Sequence, residues 1–327
     1  MAKEKIEIPK LTGRIEIPKI TPGSALVCQH HKANEQMLTG LGYPPTLVEN
    51  WQEKAVNKMR ELLNKYKSLK LYLDTCVRCG ACTDKCQFFL GTADPKNTPV
   101  GRQELLRKIY RRYFTPAGKL LGKMAGAEDF TEETLKEWYV YFHQCSQCRR
   151  CSLACPYGID TAEISMAARE IMHSIGLGTK YTDEIVLKVF NIGNNLGMQP
   201  KAIKSSLDFC VDEMKELYEE KGITDIDVKI PMDVEGAEVL LVVPSADFFA
   251  SPHIESLLGY AKVFHQAGIS WTLSSYASEA GNFGMFNGSY DGMKKVASRI
   301  GQAVRDLKVK RLVIGECGHA YRIAYNF

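Results

Sequence analysis

The stretch Cys76-Val77-Arg78-Cys79-Gly80-Ala81-Cys82-Thr83-Asp84-Lys85-Cys86 decides the reading of this chain, together with its second copy, Cys145-Ser146-Gln147-Cys148-Arg149-Arg150-Cys151-Ser152-Leu153-Ala154-Cys155. Each places three cysteines two residues apart and a fourth three residues further on. Three thiols so spaced sit on one tight loop, whereas the fourth lies beyond it. Eight of the eleven cysteines fall in these two runs, so thiol chemistry dominates. Pro156 follows the second run and Gln87 the first. That difference removes a turn preference but no ligand.

The spacing C-x2-C-x2-C-x3-C is that of [4Fe-4S] ligation, in which iron takes soft thiolate ligands. In two-cluster proteins the fourth cysteine of each run serves the other cluster. The expected ligands are therefore Cys76, Cys79, Cys82 and Cys155 for cluster one, and Cys145, Cys148, Cys151 and Cys86 for cluster two. Crossed ligation would pin the runs together across 58 intervening residues and bring the clusters within electron-hopping reach. Structural zinc favours well-separated cysteine pairs over triplets, and a disulfide framework suits this pattern still less. Two [4Fe-4S] clusters make the chain a one-electron carrier.

A length of 327 residues with 45% hydrophobic and 24% charged residues describes a soluble protein of about two domains. The net charge of +4 is too mild to argue for nucleic acid as a partner. No apolar stretch approaches the ~18–20 residues of a membrane span. The start, Met1 to Lys10, lacks the apolar core of a secretory signal. Many cysteines without an export signal point to a reducing compartment, where thiols bind metal rather than pair. The expected location is the cytoplasm, with docking to an integral membrane partner left open.

The fold class expected is a helical two-cluster ferredoxin-like domain followed by a partial α/β domain with parallel strands. Residues 1–50 read as an extended arm, because Lys5 to Lys10 is nearly repeated in Arg14 to Lys19 and each repeat ends in Pro-Lys. Residues 51–175 form the di-cluster domain, with helices predicted at 51–70, 102–114, 131–143 and 161–175 from their apolar periodicity. In the second of these, Arg107, Lys108, Arg111 and Arg112 are expected on a solvated face that is also a candidate docking surface for an acidic partner. Residues 176–235 form a helical linker with a solvent-facing stretch from Asp212 to Lys221. Residues 236–327 alternate apolar strands (239–243, about 269–273 and 311–314) with helices (253–267 and 291–307), the signature of βαβ units. Half of an α/β domain is present, and the chain stops just beyond a strand-end loop, as a fragment of a longer protein would.

Cys317 follows the last strand in Gly315-Glu316-Cys317-Gly318-His319. Open α/β sheets gather their reactive groups at the carboxyl ends of strands, and flanking glycines let the backbone approach a bulky group. Cys317 and His319 are therefore the candidate catalytic pair, the alternatives being a free thiol in a turn and a surface histidine. Cys210, among Leu207, Phe209 and Val211, reads as a buried core thiol. Cys28, near His30 and His31, resembles a metal site in composition alone.

Taken together, the paired runs, the helical surround and Glu316-Cys317-Gly318 after a βαβ unit resemble the iron–sulfur subunits of heterodisulfide reductases. Within them the chain is most similar to the DsrK family, heterodisulfide-reductase-D-like subunits of the membrane complex associated with dissimilatory sulfite reduction. The resemblance spans nearly the whole chain. It implies a quinol-oxidising haem b membrane partner and a small sulfur-carrier protein (DsrC-like) whose disulfide or trisulfide is reduced. It also implies a place on the inner face of the cytoplasmic membrane. In that family "CCG" repeats hold a third, noncubane [4Fe-4S] cluster. Here Glu316 replaces the first cysteine, and Val243-Pro244-Ser245 stands where relatives often carry another. Cys317 alone cannot hold such a cluster, so its other ligands would come from beyond residue 327 or from another chain. The alternative is a pure relay resembling the iron–sulfur subunits of fumarate reductases or anaerobic glycerol-3-phosphate dehydrogenases.

Overall fold

A computed structural model describes residues 35–222, 228–248, 253–279, 282–315 and 317–326. The repeated arm segment, Cys28 and Glu316 lie outside the described residues. The fold is a helical domain that carries both cysteine runs, joined to a partial α/β domain with a small parallel sheet.

The helical part begins earlier than expected. Helix α1 (Glu35–Leu41) buries Leu38, and Tyr43 follows it into the same core, so residues 35–43 are not part of an extended arm. Helix α2 (Trp51–Lys65) buries Ala55, Met59, Leu62 and Leu63, one stripe at helical spacing. The helix predicted over 51–70 is two helices. Tyr66 takes an extended conformation, and α3 (Lys67–Thr75) sets off on a new axis that buries Leu69 and Leu73 and delivers Cys76 at its end. After the first cysteine run come α4 (Gln87–Thr92), α5 (Pro99–Phe114) and α6 (Pro116–Leu121). Helix α5 starts three residues before the predicted 102, because Thr98 caps it by accepting from Gly101 N at 3.0 Å and Pro99 supplies its first turn.

Helix α7 (Glu132–His143) carries Trp138, Tyr139 and Phe142 into the core and leads to the second run. The short α8 (Arg150–Leu153) lies inside that run, and α9 (Thr161–Ser174) leaves it. Helix α9 packs against α2, α5 and α7 and buries Ile164, Ala168, Ile171 and Met172, together with Arg169 and Glu170. It is the axle of the domain. Burying each large apolar side chain there contributes about 2 kcal/mol.

Helices α10 (Lys180–Ile192) and α11 (Pro200–Glu219) lead to the sheet. The sheet order is β2-β1-β3, all parallel, with β1 at Val239–Val242, β2 at Trp271–Thr272 and β3 at Arg311–Ile314. Helix α12 (His253–Ala267) connects β1 to β2, and α13 (Asn282–Asn287) and α14 (Tyr290–Asp306) connect β2 to β3. Strand β1 is buried on both faces. Val239, Leu241 and Val243 join one apolar cluster with Leu257, Ala261 and Phe264 of α12. Leu240 and Val242 join another, with Ile300 and Ala303 of α14. Helices on both faces are what a parallel sheet requires.

The last segment departs from expectation. Residues 318–326 are a helix, α15 (Gly318–Asn326), and Ala320 and Ile323 are buried. A nine-residue helix with two anchors carries too short a periodic signal to stand out from a loop. Cys210 is buried on α11, and the side chains of Asp212, Glu213 and Glu216 face solvent.

Candidate metal centre

The two cysteine loops share one backbone shape. Arg78 (φ 58°) and Gln147 (φ 61°) hold the same place between the first and second cysteines of their runs. Gly80 (φ 79°) and Arg149 (φ 61°) both follow the second cysteine. Such left-handed residues turn successive peptide N–H groups into a concave nest that favours an anion. For the non-glycine residues each costs about 1 kcal/mol.

Two recesses result. Cys76, Cys79, Cys82 and Cys155 line the first, which holds about 360 Å³ of space open in part to solvent. Cys86, Cys145, Cys148 and Cys151 line the second, of about 330 Å³. Each recess thus draws three cysteines from one run and one from the other. They lie side by side on two helix starts. Val100 and Thr161 face the first recess, and their chain neighbours Pro99 and Ala162 face the second. The positive ends of the α5 and α9 dipoles therefore meet both.

Buried cations brace the loops. Arg107 donates to Cys76 O (3.0 Å) and pairs with Glu104 (2.7 Å). Arg169 donates to Phe142 O through Nε (3.0 Å) and Nη2 (2.7 Å), and also to Cys145 O. Arg102 Nη1 donates to Cys86 Sγ (3.3 Å). The expected solvated face of α5 is thereby corrected at Arg107, which is 2% exposed. Lys108 keeps to the surface, paired with Glu128 at 2.9 Å. Asp160 ties the second run to α9, accepting from Ser152 Oγ (2.7 Å) and Ala162 N (2.9 Å) and pairing with Arg149 (2.9 Å).

The residues fit iron–sulfur clusters. Buried donors without a protein acceptor gather about the runs: Arg107 Nε by the first, and Gln147 Nε2 and Arg169 Nη1 by the second. A sulfide-rich anion is the acceptor such donors lack. Among the described residues no three His, Cys, Asp or Glu side chains converge as one ion would require. The thiols ring wider spaces, as a cube needs and a zinc ion does not. Burial pushes the Cys82 thiol up and the Cys151 thiol to about 11, so iron binding must displace the proton from each of these two.

Cys317 lines neither recess. It sits at the carboxyl end of β3, half-buried against the Leu240 and Val242 cluster, and its carbonyl accepts from Tyr321 N (3.0 Å) as α15 begins. His319 turns toward the second run, where Nε2 donates to Ser146 O (2.8 Å) and the ring lies edge-on to Phe286. Burial lowers its pKa. Arg322 reaches Gln147 O (3.1 Å). Sequence reasoning missed the buried arginines at 102 and 169 and the paired helix starts. The Thr98-Pro99 cap and start signals were the available clue to the α5 start.

The family model of a 4Fe-4S dicluster domain matches residues 72–159. The chain is 44% identical over 285 residues to the Hdr-like menaquinol oxidoreductase iron-sulfur subunit 2 of Archaeoglobus fulgidus, covering 86% of this chain and 50% of the relative. The Hdr-like menaquinol oxidoreductase iron-sulfur subunit of Archaeoglobus profundus matches with the same identity and coverage. One subunit of the dihydromethanophenazine:CoB--CoM heterodisulfide reductase of Methanosarcina barkeri is 33% identical over 106 residues, 32% of this chain and 25% of that protein. No solved structure matches. The chain spans about half the length of the Archaeoglobus relatives it matches. It carries a [4Fe-4S] dicluster domain and is a homologue of Hdr-like oxidoreductase iron–sulfur subunits.

Proposed function

We propose that this chain is the electron-carrying iron–sulfur subunit of a membrane-associated oxidoreductase, with Cys76, Cys79, Cys82 and Cys155 holding one cluster and Cys145, Cys148, Cys151 and Cys86 the other. The observation that carries this reading is the lining of the two recesses, three thiols from one run and one from the other. Bound [4Fe-4S] clusters supply one-electron transfer. Arg107 and Arg169 hold the loops by their carbonyls, so the thiols keep their places as charge comes and goes. Residues 51–175 serve as the dicluster unit, 176–235 as a helical linker and 236–327 as part of an α/β domain.

Electrons enter from a quinol-oxidising haem b partner and leave toward a disulfide or trisulfide on a sulfur-carrier protein, in the manner of the DsrK family. Cys317 and His319 stand at the exit, with any third, noncubane cluster completed by residues outside this chain. The complex sits on the inner face of the cytoplasmic membrane, and the chain binds it through partner subunits. The relatives' names, a menaquinol oxidoreductase and a heterodisulfide reductase, support this reading. So does the lack, among the described residues, of a helix long and apolar enough to cross a membrane. One observation favours a second reading, a pure relay without a sulfur substrate: His319 Nε2 is already engaged by Ser146 O.

Electron paramagnetic resonance tests both. Cys155→Ser is expected to alter the signal of the cluster on the first run and spare the other. The opposite result overturns the ligand assignment. In protein extended to its full length, oxidation with a thiol substrate should raise a third, substrate-dependent signal, and its absence establishes the relay.

A further inference from the structure

The two recesses differ in how their arginines approach them. At the first, Arg107 reaches the carbonyl of Cys76. At the second, Arg102 Nη1 points at a sulfur, Cys86 Sγ, at 3.3 Å. The rest of its fork is fixed. Nε donates to Tyr141 O (3.0 Å) and Nη2 to Asn97 Oδ1 (2.9 Å). Asn97 is itself buried and anchored, its Nδ2 donating to Thr92 Oγ1 at 3.1 Å. Arg102 is 2% exposed, so water does not compete for these donors and the guanidinium cannot swing away. A planar fork with every arm engaged is a built contact.

Hydrogen bonds to the sulfurs are among the levers that set an iron–sulfur potential. A donor aimed at a thiolate stabilises the more negative, reduced state, and more strongly away from water. We propose that Arg102 raises the reduction potential of the cluster that Cys86 ligates, biasing the electron toward the second recess. One electron leaves the first cluster and enters the second; no bond forms or breaks. The bias has a structural direction. The second run is the one that α15 touches through His319 and Arg322, and α15 follows directly on Cys317. Arg102 would thus pull charge toward the α/β side of the molecule. The inference rests on the ligand assignment proposed above.

Potentiometric titration of the full chain, followed by electron paramagnetic resonance, tests it. Cys145→Ser identifies the second-run signal by its loss. Arg102→Lys keeps a positive charge but lacks the fork. It is expected to shift the second-run midpoint downward and leave the first unchanged. Asn97→Ala frees Nη2 alone and should give a smaller shift of the same sign. It decides the matter if Arg102→Lys fails to assemble. An unchanged second-run midpoint, or an equal shift of both signals, overturns the proposal. A shift confined to the first-run signal keeps the tuning by Arg102 and overturns the assignment of Cys86 instead.

Discussion

His319 Nε2 lies 2.8 Å from the backbone oxygen of Ser146, a contact between residues 173 positions apart. It joins α15 to the loop that carries Cys145 and Cys148, and one turn later Arg322 adds a second bond to Gln147 O. His319→Ala is expected to weaken this docking by about 1 kcal/mol, the net worth of one such bond. Amide hydrogen exchange over residues 145–151 should quicken while iron content stays at two clusters. Unchanged exchange would show that the contact does not hold the loop.

Charge on α5 should matter by burial and not by count. Arg107 is buried, pairs with Glu104 and donates to Cys76 O, and Arg107→Ala leaves Glu104 only its outer partner Arg78 and frees the loop. A loss of about 2 kcal/mol is expected for removing such a buried, charged donor. Lys108 is the next residue, but its pair with Glu128 is exposed, and Lys108→Ala should cost less than about 1 kcal/mol. Chemical denaturation of the two variants side by side makes the comparison. Equal losses would refute the ranking.

Gly288 marks where the partial α/β domain meets α9. Its φ of +82° disfavours any side chain, and a Cβ there would collide with Arg169 O and meet Glu170 N at 2.7 Å. Gly288→Ala should therefore cost more than about 1 kcal/mol. It should separate the unfolding of the sheet from that of the helical domain, seen as two transitions by calorimetry. A single transition at the original temperature would mean that the contact is slack.

The cysteine runs were legible because ligand spacing is a local code. The long elements were legible as well: α12 falls on its expected range, and β1 and β3 fall on theirs to within a residue. What the chain hides is tertiary. Arg102 and Arg169 look like any basic residues on helices, and only the fold shows them turned inward to loops more than fifteen residues away along the chain. Helices α13 and α15 were hidden for a different reason. Asn282–Asn287 and Gly318–Asn326 are short and open with residues that favour turns, and they are held by Met285 and Ile323 meeting in one small apolar cluster. The break at Tyr66 leaves no trace in periodicity, since apolar residues continue on both sides of it.

Each recess borrows one thiol from its neighbour. A cluster in either recess would therefore staple the two runs to each other. Iron placed at one site alone would already hold residues 76–86 against 145–155, so the second site would be assembled between walls that are set. Loss of one cluster would leave the other its own four thiols and leave the runs joined. Either cluster would be a clasp for both loops.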